Sequence, residues 1–185
     1  MIFEKDKNKK GDLSFTIWEC YTKTPNLDAR KAVERLLRGV PEEHLEGLQG
    51  VILCDTEKLK EHYGESEKVS TARYIILMDG SKNPWIEICI DRLFHGFPKW
   101  VLKFSAVTDL MLSQPFYHEI GHHISAKSGN NDEDAEKAAE KWRKKFSERY
   151  MLRYHFLFCL LAITVIFPFK KRFAKMYGYQ QYEQV

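Results

Sequence analysis

Paired cysteines, internal repeats and low-complexity tracts are all missing from this sequence. The 4 cysteines among its 185 residues are widely spaced and form no C-x-x-C pair. Each lies in an apolar or strand-like stretch, so we expect buried free thiols rather than disulfides or metal ligands. The N-terminus is charged from Glu4 onward and lacks an apolar core, so we expect no secretory signal peptide. These features are typical of a reducing compartment and predict a cytoplasmic protein.

Strong net charge is also missing, because the formal net charge is only +3. The basic residues are nevertheless concentrated, since residues 137–175 contain eleven Lys or Arg and two Glu. No nucleic-acid recognition motif accompanies them, so we expect no nucleic-acid partner. With 44% hydrophobic residues, the chain is long enough for one domain with a real core. We predict that domain in residues 1–149, followed by an apolar and basic C-terminal segment, residues 150–185.

One pentapeptide, His118-Glu119-Ile120-Gly121-His122, indicates chemistry. Residues four apart share one face of a helix, so the imidazoles of His118 and His122 can bind a single metal ion. Glu119 lies about 100° around the helix from His118, where it can reach a water molecule on the metal but cannot be a third ligand. Zinc suits this arrangement, because it accepts neutral imidazole nitrogen and keeps one of four positions for water in catalytic sites.

The surrounding residues favour a partly buried helix for this motif. Phe116, Ile120 and Ile124 recur at i, i+4 and i+8, which predicts an apolar stripe along one helix face. Pro115 fits the first turn of that helix, and residues 100–112 predict a further helix leading into it. Gly121 leaves room beside a metal ion. The alternative, an ordinary amphipathic helix with surface histidines, is disfavoured by this context.

A third ligand is available downstream, where residues 127–131 predict a turn into a second, acid-rich helix. Its run Glu136-Lys137-Ala138-Ala139-Glu140-Lys141-Trp142 follows the pattern Glu-x-x-Ala-acid-x-aromatic. Together with H-E-x-x-H, this resembles the gluzincin metallopeptidases, which include the CAAX-type membrane proteases and small bacterial peptidases that cleave regulators. Over residues 113–143, the resemblance implies Glu136 as the third zinc ligand, Ala139 as a small residue packing near the first helix, and Glu140 as a partner of a histidine.

The same pattern also fits in a second register. The run Asp132-Glu133-Asp134-Ala135-Glu136 reads acid-x-x-Ala-acid and would move the third ligand to Asp132 or its neighbour Glu133. This register needs Asp in place of Glu and lacks the aromatic residue, so Glu136 is preferred. The remaining carboxylates are expected to be solvated at the helix N-terminus.

Upstream of the motif, short strands alternate with helices. The predicted strands are residues 13–18, 51–54, 73–78 and 85–90. The predicted helices are one capped by Thr24 or Asn26 that ends near Gly39, and one at residues 57–63. The turn chemistry of residues 79–84 is typical of a hairpin joining the last two strands. We predict an α+β fold with a small mixed sheet, an HExxH active-site helix, a following ligand helix in a minimal zincin-like arrangement, and a C-terminal apolar helix. The hairpin is a candidate for substrate contact; the alternative is that both strands are only core.

The C-terminal segment contains a run of sixteen residues, 154–169, without Lys, Arg, Asp or Glu. It is short for a membrane span, which needs roughly twenty apolar residues. Basic residues on both sides, Arg149 and Arg153 before it and residues 170–172 after it, could extend its reach. Spanning a membrane, docking on a membrane surface through residues 150–175, and burial against the domain or a partner all stay open.

With the resemblance, these residues indicate a zinc-dependent metallopeptidase, a hydrolase acting on a peptide or protein substrate. It would bind one Zn²⁺ per chain through His118, His122 and Glu136, with Glu119 as general base. Candidates for stabilising the oxyanion are Tyr117, Tyr74 and His95. Two alternatives stay open: a catalytically inactive zinc-binding scaffold recruited to a membrane or partner by its basic apolar tail, and a metal hydrolase of a non-peptide amide. The sequence leaves the oligomeric state open.

Overall fold

A computed structural model describes residues 15–64, 70–76, 83–129 and 132–161. Within these ranges the chain has a mixed α+β fold with one four-stranded sheet and six α-helices. The elements are β1 Thr16–Cys20, α1 Ala29–Leu37, β2 Gly50–Cys54, α2 Thr56–Tyr63, β3 Ala72–Ile75, β4 Trp85–Cys89, α3 Ile90–Leu93, α4 Ser105–Lys127, α5 Asp132–Tyr154 and α6 Phe156–Leu161. Two short 3₁₀ turns, Glu42–His44 and Val101–Lys103, lie between them. The prediction of an α+β fold with a small mixed sheet is confirmed.

The sheet has the strand order β1-β2-β4-β3, with β3 at one edge. β1, β2 and β4 are parallel, whereas β3 is antiparallel to β4. β2 and β4 are buried along their whole length, which is typical of central parallel strands covered on both faces. The predicted hairpin pairing of the last two strands is confirmed. Most of its predicted turn, and residues 13, 14, 77 and 78 of the predicted strands, lie outside the described residues.

Helices cover both faces of this sheet. α1, α4 and α5 pack on the face that carries Ile17, Val51 and Ile86. The opposite face carries Cys54 and Cys89, which pack with Leu59 of α2. All four cysteines are free, as predicted, although Cys20 and Cys159 are only half-buried.

The first two helices match the sequence pattern closely, with one difference at a cap. α1 begins after Asp28, whose carboxylate accepts a hydrogen bond from the Lys31 N–H, so both predicted caps, Thr24 and Asn26, are too early. α2 ends at Gly64, whose φ of 88° lies in the region that favours glycine. This end was predicted.

The prediction that Pro115 begins a new helix is wrong, because α4 runs without interruption from Ser105 to Lys127. Pro115 lies inside it, at a position that normally weakens a helix. Leu112 and Phe116, on either side of the proline, are fully buried, and the Ser113 hydroxyl donates to the Leu110 carbonyl at 2.8 Å. Tertiary packing therefore keeps this segment helical.

α4 and α5 form an antiparallel pair that is held by polar contacts along its length. Asp109 in α4 is fully buried and accepts hydrogen bonds from Arg35 of α1 and from the Tyr150 hydroxyl of α5. Ser113 and Ser147 join the same helices at 3.0 Å between their hydroxyl oxygens. The domain boundary predicted after residue 149 falls inside α5.

The C-terminal apolar run is described only as far as Leu161. Its first part forms the short helix α6, which follows α5 after His155. Within the described residues, no helix is both long enough and apolar enough to cross a bilayer.

Candidate metal centre

Three side chains from two helices converge at one point. α4 carries His118 and His122 one turn apart, and α5 carries Glu136 beside them. One ligand atom from each lies within 4.8 Å of those of the other two. In the part of the chain that the structure describes, these residues are the only group of three or more His, Cys, Asp or Glu that could hold a metal ion.

The three groups lie close enough to share one metal ion, with different oxygens of Glu136 nearest to the two histidines. The two Nε2 atoms of the histidines are 3.1 Å apart. Glu136 lies against both, with Oε1 3.2 Å from His118 Nε2 and Oε2 3.3 Å from His122 Nε2. Two ligand atoms at about 2.0–2.1 Å from a tetrahedral zinc ion are about 3.3 Å from one another. Three such ligands leave one tetrahedral position for water or substrate, while the role of the three residues as zinc ligands stays a prediction.

The electrostatic surroundings of the histidines also suit a metal. Burial lowers the pKa of His122, the neighbouring His118 lowers it further, and Glu136 opposes both effects. A lowered pKa favours the neutral imidazole, which is the form that binds metal ions. Glu140 Oε2 lies 4.0 Å from His118 Nδ1, so a carboxylate stands beside the ring nitrogen that faces away from the cluster. Arg143 Nε donates to that carboxylate at 2.6 Å and holds the pKa of Glu140 below its usual range.

Gly121 and Ala139 set the distance between the two helices at this point. A Cβ at Gly121 would lie 2.5 Å from the Ala139 Cα and 2.8 Å from its carbonyl oxygen. The glycine therefore makes room for the backbone of α5 rather than for a metal ion, which corrects the reason given from the sequence. Ala139 is fully buried and packs against α4, as the resemblance implied.

Glu119 lies on the side of α4 that faces the sheet and is 7% exposed. Burial raises the pKa of Glu119 to about 7, and the charge of Glu136 contributes in the same direction. The backbone N–H of Tyr74 in β3 lies close enough to the carboxylate to oppose this rise in pKa. A buried carboxylate with a pKa near neutrality is suited to accept a proton.

The edge strand β3 borders this cluster. Thr71 accepts a hydrogen bond from the Cys89 N–H. Main-chain groups of every second residue in an antiparallel strand face the same way, so those of Arg73 and Ile75 also face β4. Because main-chain groups alternate in direction along an antiparallel strand, those of Tyr74 point away from β4 and toward α4. This explains how the Tyr74 N–H reaches Glu119.

The sequence predicts that His123 points off the metal face and is exposed or hydrogen-bonded nearby, and the structure shows the hydrogen-bonded alternative. It is 2% exposed, and its two ring nitrogens lie 3.0 Å from the Tyr74 hydroxyl and 3.0 Å from the Glu46 carbonyl oxygen. The ring therefore ties β3 and the segment before β2 to α4, directly beside the predicted ligand His122. Its partners are 49 and 77 positions away along the chain, so no local sequence signal indicates the contact.

The three predicted oxyanion candidates differ in position. Tyr117 is fully buried and donates its hydroxyl hydrogen to the Leu36 carbonyl at 2.9 Å, so it does not face the cluster. Tyr74 borders the cluster through its backbone, and its hydroxyl contacts His123. His95 is exposed on the turn after α3. The side chains of Asp132 and Glu133 lie outside the described part, so the second register stays a prediction.

The comparisons with known proteins add no relative. The chain matches no protein-family model, no curated protein and no solved structure.

Proposed function

We propose that this chain is a zinc-dependent peptidase with a zincin-like site, in which α4 is the HExxH active-site helix and α5 the following ligand helix. The observation that carries the proposal is the convergence of His118, His122 and Glu136 at 3.1–3.3 Å, with buried Glu119 beside them. A structural ion pair alone would not require two imidazoles and a buried acid at one point. The resemblance to gluzincins in the same residues supports this assignment.

Zinc held by three protein ligands lowers the pKa of a water molecule and polarises a carbonyl group. Glu119 would accept a proton from a water molecule while the water oxygen attacks the scissile carbonyl carbon. When the C–N bond breaks, Glu119 returns the proton to the amine nitrogen that leaves. The Tyr74 N–H, which faces the carboxylate, would stabilise its ionised form before the first transfer.

The edge of β3 is suited to bind an extended peptide. A strand at a sheet edge offers outward main-chain groups that a substrate can pair with. A groove of about 570 Å³ continues from this edge and is lined by Tyr74, Ile76, His123, Ala126 and Lys127, among others. Its lining is mainly apolar, with Lys127 paired to Glu46 at 3.3 Å, and favours a substrate with an apolar side chain beside the cleaved bond. The expectation that the hairpin contacts substrate is part of this proposal.

Hydrolysis of a broad library of quenched fluorescent peptides tests the proposal. Zinc-loaded protein should cleave a subset of the library, and a metal chelator should abolish cleavage until zinc is restored. Zinc-loaded, folded protein that cleaves no peptide would instead favour the inactive scaffold. Cleavage confined to small non-peptide amides would favour the other alternative.

A further inference from the structure

One end of the molecule exposes large apolar side chains. Before α4, the side chains of Trp100 and Phe104 are 65% and 57% exposed, and their rings meet edge to face with 6.3 Å between centroids. Around the start of α6, Leu152, Phe156 and Leu157 are 57%, 57% and 78% exposed. We call these five residues the apolar end.

The apolar residues before α4 and those around the start of α6 lie at the same end of the molecule, because α4 and α5 run antiparallel. Asp109, in the second turn of α4, accepts a hydrogen bond from the Tyr150 hydroxyl at 2.8 Å and lies 3.0 Å from His155 Nε2. Phe104 directly precedes α4, and His155 directly precedes α6. The start of α4 is therefore level with the junction between α5 and α6.

Basic side chains accompany the apolar end. The exposed basic residues that neighbour it along the chain are Lys99, Lys103, Arg149 and Arg153. Residues 141–161 contain a single acidic residue, Glu148. Exposed aromatic and aliphatic side chains next to Lys and Arg are typical of surfaces that enter the headgroup region of anionic membranes.

The amino-acid sequence after α6 is first uncharged and then basic, like the apolar end and its basic neighbours. Residues 162–169 contain no charged side chain and are followed by Lys170-Lys171-Arg172. α6 itself is apolar on both sides, since Phe158 and Cys159 pack against the core while Phe156 and Leu157 are exposed. A helix that is apolar all round is suited to a lipid or protein environment rather than to water.

We propose that the apolar end docks on a lipid bilayer that carries anionic headgroups. The aromatic and aliphatic side chains enter the bilayer, and the Lys and Arg side chains contact the headgroups. His118 is fourteen positions after Phe104, which corresponds to about 20 Å along α4 at 1.5 Å per residue. The three clustered ligands therefore stay clear of the docking surface, and docking does not depend on the proposed peptidase activity.

Flotation of the full chain with lipid vesicles tests this docking. Wild-type protein should float with vesicles of phosphatidylcholine mixed with phosphatidylglycerol and much less with phosphatidylcholine alone. The double variant Trp100→Glu, Leu157→Glu should reduce the bound fraction at least about tenfold. Ile76→Glu is the matched control, because Ile76 is 63% exposed but lines the groove at the other end of α4, so this variant should float like wild type. Arg153→Glu should weaken flotation more than Lys60→Glu, which changes the same charge on α2.

Circular dichroism should first establish that each variant is folded. Flotation lost equally in the Ile76 control would overturn the proposal, as would full flotation of the double variant. A wild-type protein that does not float also overturns it. In that case light scattering identifies what covers the apolar end: a dimer dissociated by Leu157→Glu indicates a second copy, and a monomer indicates residues of the same chain.

Discussion

The backbone N–H of Tyr74 points toward the buried carboxylate of Glu119 and lowers its pKa, so the edge strand of the sheet lies against the helix that carries the two histidines. The contact places the proposed base and the proposed substrate edge against each other. A peptide that pairs with β3 would therefore lie beside both Glu119 and the cluster of His118, His122 and Glu136. This relationship favours a site for an extended backbone over a site for a compact ligand.

Replacing the proposed base separates catalysis from metal binding. Glu119→Gln keeps the size and the hydrogen-bond acceptor of the side chain but removes its ability to accept a proton. We expect the variant to bind zinc as wild type does, while peptide hydrolysis falls by about 10²–10⁴-fold. Zinc content and the initial rate of cleavage are the measurements. An active Glu119→Gln enzyme would show that another group takes the proton.

The groove beside β3 can be tested without touching the metal ligands. Ile76 lines this groove with its side chain exposed. We expect Ile76→Glu to raise KM for peptides with an apolar side chain next to the cleaved bond, because an unpaired charge would face that side chain. The value of kcat and the zinc content should change little. Leu157→Glu is the control, and an equal effect of both variants on KM would remove the groove from the substrate site.

The close contact between Gly121 and Ala139 predicts that a side chain added at residue 121 lowers both the stability of the fold and the affinity for zinc. Gly121→Ala should destabilise the fold by about 1–3 kcal/mol, because the new methyl group overlaps the backbone of α5. It should also weaken zinc binding, since Glu136 lies one turn before Ala139 on the displaced helix. Chemical denaturation and a competitive zinc titration measure the two effects. The double variant Gly121→Ala, Ala139→Gly should not recover, because the clash is with backbone atoms; full recovery would contradict this explanation.

The buried Asp109 predicts a large effect on stability far from the metal centre. Asp109→Ala leaves Arg35 without its carboxylate and should cost about 3–5 kcal/mol, whereas Tyr150→Phe removes one hydrogen bond and should cost about 1 kcal/mol. Glu57→Gln, in an exposed pair with Lys23, should change stability by less than about 1 kcal/mol. Urea denaturation of the zinc-free proteins compares the three. Equal effects of Asp109→Ala and Glu57→Gln would contradict the importance of this buried pair.

Local spacing made part of this structure predictable. His118 and His122 lie four positions apart, so a helix alone brings them together. The acid-rich helix offered several carboxylates, and only the resemblance to gluzincins implied Glu136 among them. The continuity of α4 through Pro115 was not predictable, because long-range packing of Leu112 and Phe116 overrides the local preference of proline. The approach of the Tyr74 backbone to Glu119 depends on where the sheet edge meets the helix, which no local pattern encodes. Asp109, which is followed by Leu110 and Met111, did carry a sequence signal of its buried pairing, because a charged residue in an apolar stretch is usually paired when buried.

The zinc content of purified protein, measured by inductively coupled plasma mass spectrometry, tests the central claim most directly. We predict about one zinc per chain for wild type, little for His118→Ala and Glu136→Gln, and wild-type content for Glu148→Gln, which changes an exposed carboxylate elsewhere on α5. Asp132→Asn should keep its zinc; loss of zinc there with retention in Glu136→Gln would move the third ligand to the second register. Wild-type protein that binds no zinc, even when zinc is supplied to the folded chain, would contradict the account.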